Sequence, residues 1–362
     1  MLMEVKDKPE DIKFLRARMG SQPGVNPLHV ETENPYDLRP ALTVCMQDIE
    51  QARSELESGQ KLLINFGEVH DFVRDHALKI ALVQGMAQKG YNPLVVLEMP
   101  HNFFSQEELR GMNPALVFSA FGEVEAAPFS HRCFHDYLWR TETEVILVDA
   151  AQKDRGVYLD EEDEKTRKFT QELYPNEDNS NIETEIPKGM HIRNGFMLRE
   201  SFAVANEGDH DVIFLSQGSA HVAGNEISGY LYGHSTNGLA RDPEFFQKIC
   251  GNDEPLPKII NIMPHFRTTG DGKPYYFERM IPEEVYSDIP NTVIPTNLTE
   301  DFFKNTRVSK KNGCLDEMRC LTKFWKNSGG AEGQSIFLKP RPDDAMRQEA
   351  KVELIRHLDL AA

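Results

Sequence analysis

Short apolar runs recur along this chain, separated by longer stretches with helical spacing. Lys61 to Phe66, Leu94 to Leu97, Val145 to Val148, Val212 to Leu215 and Lys258 to Met263 are dominated by Ile, Leu, Val and Phe. Runs this short and this apolar read as strands buried on both faces, the habit of parallel sheets. Between the first two, Ala77, Ile80, Ala81, Val83 and Ala87 recur at helical spacing, and Gly90 ends the stretch. The result is a strand–helix–strand unit of the length that a parallel crossover requires. Residues 42–58 predict a helix through Val44, Ile49, Ala52 and Leu56. Residues 192–206 predict another through Phe196, Met197, Phe202 and Val204, and residues 343–360 a last one through Leu354, Ile355 and Leu358. The expected fold is α/β: a mostly parallel central sheet flanked by helices, with its crevice at the carboxyl ends of the strands.

Composition divides the chain. Residues 1–40 are polar and without a clear period, and predict an extended arm. Residues 41–300 hold the alternating strands and helices of one α/β domain. Within it, residues 155–190 form an acidic insertion. Ten acids stand against three bases between Asp160 and Glu185, which predicts a solvated loop or flap. Residues 301–362 predict a helical extension packed on the same domain.

Charge and cysteine content narrow the partners. A formal net charge of -18 over 362 residues argues against a nucleic-acid partner, which needs clustered Lys and Arg. No run is long and apolar enough for a transmembrane helix. Residues 1–20 carry scattered charges and no apolar core, so the expected location is cytoplasmic, or reached by export without a cleaved N-terminal signal. The five cysteines are scattered with no C-x-x-C, which fits a reduced compartment rather than structural zinc or a disulfide framework. Oligomeric state is left open.

The chemistry gathers where the strands end. Gly67-Glu68-Val69-His70 follows one apolar run, and Gly218-Ser219-Ala220-His221 follows another. Both read G-x-x-H. The doubling suggests two pseudo-repeated βαβ halves that deliver two imidazoles to one crevice. The other strand ends present Glu98, Asp149 and His265. Spacing of two residues puts Glu68 and His70 on one side of an extended chain. Glycines at these turns suit a positive φ or a close backbone approach. His76, six residues beyond His70, falls in the following helix and can support the site. No phosphate-binding glycine loop, H-E-x-x-H or G-x-S-x-G occurs. Water activated by Glu and His, with or without a divalent metal, is the chemistry that remains.

The blocks Phe66-Gly67-Glu68-Val69-His70-Asp71 with His76, Val95-Val96-Leu97-Glu98-Met99, Arg193 with Met197, and Gly218-Ser219-Ala220-His221-Val222 resemble the erythromycin esterase / ChaN / Tiki-TraB superfamily. The spacing from Glu68 through His70 to Glu98 is most similar to the Ras-cleaving endopeptidase domains of bacterial toxins. The resemblance implies an α/β fold and a catalytic set of Glu68, His70, Glu98 and His221. Asp149, Arg193, His76 and His265 are secondary candidates. It implies a hydrolase, first a peptidase on a protein or peptide substrate, in a bacterial effector or toxin. Its alternatives are an esterase and a haem-binding protein. The cofactor is left open between none, a divalent metal and haem.

Overall fold

A computed structural model describes residues 14–16, 28–30, 34–68, 70, 72–103, 134, 138, 143–223, 232–264, 291–293 and 313–328. In chain order these form α1 (Arg39–Ser54), β1 (Leu62–Glu68), α2 (Val73–Gln88), β2 (Leu94–Pro100), β3 (Val145–Asp149), α3 (Glu164–Leu173), α4 (Pro187–Glu207), β4 (Val212–Gly218), α5 (Ser219–Ala223), α6 (Thr236–Arg241), α7 (Pro243–Cys250), β5 (Lys258–Met263), β6 (Asn291–Val293) and α8 (Gly313–Asn327). His265, the helix expected over 343–360 and most of the arm over 1–40 lie outside the described residues.

All five apolar runs are strands. Together with β6 they form one six-stranded sheet in the order β6-β5-β1-β4-β2-β3, and every neighbouring pair is parallel. Alternation along each strand splits the core in two. Leu62, Ile64, Phe66, Val95, Leu97, Val212 and Phe214 face α1, α2 and α8. Leu63, Leu94, Val96, Ile213 and Leu215 face α3, α4, α6 and α7. The helices on both faces explain why the strand runs are apolar throughout rather than alternating. Among the described residues no helix is long and apolar enough to cross a membrane.

Strand order creates the crevice. The chain steps from β1 outward to β2 and β3, then returns through β4 to β5 and β6 on the other side of β1. β1 therefore exits toward α2 on the first face. β4 exits toward α6 and α7 on the second. These two strands are neighbours, in register from Leu62 opposite Val212 to Glu68 opposite Gly218. Adjacent strands whose exits diverge leave an opening at their carboxyl ends.

Two expectations need correction. The buried face of α2 is wider than expected. Leu78, Leu82 and Met86 are buried and Ala87 is exposed, while Arg74, Asp75, His76 and Lys79 are buried as well. The acidic stretch, expected as a loop, contains α3. Asp163 caps that helix by accepting from the Thr166 amide at 2.8 Å. Phe169 is fully buried, its ring edge-on to Phe196. Acid count misled because the bases that offset it come from elsewhere: Lys153 pairs with Glu161, Arg199 with Glu172 and Lys188 with Glu177.

If α3 is a packed element, Phe169→Ala should cost about 3–5 kcal/mol of stability, as large-to-small changes at buried aromatics do. Urea unfolding measures this. A loss below about 1 kcal/mol would return the segment to a peripheral loop.

Candidate active site at the β1–β4 switch point

The first half of the site hangs on β1 and α2. Glu68 ends β1 and is 2% exposed. Its carboxylate accepts from Lys79, which is fully buried on α2, and from the Ser216 hydroxyl of β4 at 3.3 Å. Lys79 also donates to Ser216 at 3.0 Å and lies over the Phe134 ring. The other oxygen of Glu68 meets His70 Nδ1 at 3.1 Å. His76 Nε2 stands 3.0 Å from the His70 carbonyl, so the buried helix supports the turn that carries His70.

The second half hangs on β2, β3 and α4. One oxygen of Glu98 meets His221 Nε2 at 2.8 Å and Arg193 Nη2 at 3.0 Å. The other accepts the Gly218 amide at 2.5 Å. Arg193 grips Asp149 through Nε and Nη2, the shortest contact being 2.7 Å, and reaches the exposed Glu185 with Nη1 at 2.9 Å. Asn194 Oδ1 lies 2.6 Å from His221 Nδ1.

The halves meet over Gly218. A Cβ built there would lie 3.3 Å from His70 Nε2, 3.5 Å from Glu98 Oε2 and 3.7 Å from His221 Cδ2. The two motif histidines thus share one small space, each with a ring atom within 3.7 Å of that one point. Neither motif glycine has positive φ; close approach is the constraint at Gly67, while at Gly218 a Cβ would press only on the His70 ring. A Cβ on Gly67 would come 3.0 Å from Val222 Cγ2 and 3.2 Å from the Ser219 backbone.

Glu68, His70, Glu98 and His221 therefore converge, and Asp149 and Arg193 join them. His76 sits behind them rather than in the opening. His265 lies outside the described residues. Sequence reading missed Lys79, Asn194, Ser216 and Glu185. Lys79 had a signal: it lies three residues after His76, on the same helical face. Asn194 had one too, as a polar residue in a helix whose neighbours are apolar. Ser216 and Glu185 had none.

Their charges follow from these contacts. Withdrawal from water opposes protonation of His70, but the Glu68 hydrogen bond and the charges of Glu68 and Glu98 outweigh it and raise its pKa to about 9. The ring is 56% exposed, so water screens part of this attraction. Burial pushes Glu98 upward, yet the charge and hydrogen bond of His221, then Arg193 and His70, hold it well below the usual carboxylate range. Burial drives His76 down to about 4, which keeps it neutral. Desolvation works against the charge of Arg193, while Asp149, Glu98 and Glu185 bind it firmly.

Among the described residues the donor set does not match a divalent metal: no group of three or more His, Cys, Asp or Glu side chains there is arranged to hold one. Lys79 already neutralises Glu68, and Arg193 and His221 already occupy Glu98.

No protein-family model matches the chain, and no curated protein matches it. A solved structure described as a succinoglycan biosynthesis protein is 8% identical. The match covers 66% of this chain and 71% of that one, with a TM-score of 0.32. A likeness of that size carries no argument about fold or function.

Arg193→Met should destabilise the protein by about 3–5 kcal/mol, because it leaves Asp149 and Glu98 buried beside one lost cation. Arg193→Lys should recover little, since one ammonium cannot span three carboxylates. Urea unfolding of both variants is the check; near-native stability in either would remove Arg193 from this structural role.

Proposed function

We propose that the crevice is the active site of a hydrolase in which His70, backed by Glu68, activates water against an acyl carbonyl. The observation that carries this reading is the orientation of His70. Its Nδ1 is held by Glu68 and its Nε2 faces the space over Gly218. A carboxylate behind an imidazole fixes the tautomer and stabilises the cation formed on proton transfer. Glu98 is a poorer base, since three donors already occupy it. Ser216 is buried beneath Glu68 with its hydroxyl bonded there, and is not offered as a nucleophile.

In this reading a water molecule loses a proton to His70 Nε2 as its oxygen bonds to the carbonyl carbon. The oxyanion forms over Gly218, on the side of the crevice that His221 lines. The carbon–nitrogen or carbon–oxygen bond then breaks, and His70 returns the proton to the leaving group. The resemblance of the motif blocks to endopeptidases makes a peptide bond the first substrate to test, with carboxylic esters second.

His70 must be neutral to accept the proton, and its pKa is raised. Activity should therefore climb with pH, along a limb displaced above the ordinary 6.5 toward about 9. Glu68→Gln removes the charge that raises it and should bring the limb back toward 6.5. His70→Gln should lower turnover of peptide or ester substrates by roughly 100-fold or more with little change in thermal unfolding. Unchanged turnover in that variant, or activity falling across this pH range, would overturn the assignment. A Soret band from stoichiometric haemin binding that is lost in His70→Gln would replace it with tetrapyrrole binding.

A further inference from the structure

The two motif histidines are not equivalent. His70 keeps one nitrogen toward the crevice. His221 keeps none: Nε2 meets Glu98 at 2.8 Å and Nδ1 meets Asn194 at 2.6 Å, and its ring carbon Cδ2 is what lies near Gly218. The Asn194 amide cannot be turned round, because its Nδ2 donates to the His234 carbonyl at 2.6 Å. Its oxygen must then face His221, so Nδ1 carries a hydrogen. On the other side Nε2 faces a carboxylate, so it carries one as well. A ring with one hydrogen would set a nitrogen lone pair against an oxygen lone pair at one of these contacts.

The backbone around His221 is equally fixed. Thr236 donates its hydroxyl to the His221 carbonyl at 3.1 Å, and Gln217 donates to Thr236 at 2.7 Å. Of the charged groups around the ring, Glu98 of β2 meets it directly, Arg193 of α4 shares that carboxylate, and His70 borders the same space over Gly218.

We propose that Asn194 is a positioning residue that holds His221 as a fixed, doubly protonated imidazolium. His221 then supplies positive charge to the crevice without exchanging protons, and His70 is the imidazole that moves them. The division of labour rests on the hydrolase reading; the state of the His221 ring does not. G-x-x-H thus appears twice with opposite duties, set by the partners that each fold environment provides.

Long-range proton–nitrogen NMR of the 15N-labelled protein tests this, with His221 assigned by the signals missing in His221→Gln. Near neutral pH both ring nitrogens of His221 should resonate as protonated. Asn194→Asp, which keeps an acceptor oxygen toward His221 though it loses the donor to the His234 carbonyl, should preserve that pattern. Asn194→Leu should leave a single protonated nitrogen and lower kcat by roughly 100-fold, and any movement of the His70 limb should be upward, because a positive charge beside it is lost. A wild-type His221 with one bare nitrogen overturns the proposal even if Asn194→Leu fails to fold. An Asn194→Leu spectrum identical to wild type overturns it too. If the expected spectra are seen but no peptide or ester is turned over, the hydrolase reading fails and the assignment of Asn194 stands.

Discussion

One buried guanidinium ties the site to the fold. Arg193 projects from α4 and binds Asp149 at the end of β3, Glu98 near the end of β2, and Glu185 just before its own helix. Strand ends in an open sheet are the places where backbone pairing stops and side chains must take over. Here a single planar fork does so for two adjacent strands. A buried cation with fewer partners would carry an uncompensated desolvation cost, and so would each carboxylate without it. The position of Glu98, and through it of His221, depends on this cluster.

A second ion pair performs the matching task on the opposite face. Lys79 on α2 neutralises Glu68, and the pair is sealed by Ser216 and Phe134. The crevice thus lies between two clusters, each anchored to helices of one layer. Gly67 and Gly218 let them meet. Any side chain at Gly218 would fill the space that His70, Glu98 and His221 share, and any at Gly67 would press on α5. The requirement is steric proximity, not unusual backbone conformation.

The acidic stretch also borders this site. Asp163, which caps α3, approaches His101 just beyond β2 at 3.4 Å, and its carboxyl is lowered to about 2 by that contact and by the Thr166 amide, against the effect of burial. Glu185 reaches Arg193 directly. The segment is therefore coupled to the crevice through charge, while Phe169 fastens it to the second core layer.

Five strands, the α/β class and the residues at the strand ends were legible in the sequence, because double-sided burial leaves continuous apolar runs and because their ends mark where ligands gather. Glu68, His70, Glu98 and His221 could be named from that pattern alone. Strand order could not, since nothing in a run of Val and Ile states which run lies beside it. Only the tertiary structure placed β4 between β1 and β2 and so brought His70 and His221 together. It also decided their difference: the same G-x-x-H ends in a turn held by Glu68 in one case and in a helix held by Asn194 in the other. Acid count failed for the stretch after Asp160 for the same reason. Its compensating charges and its packing surface come from residues distant in sequence, which no local composition can register.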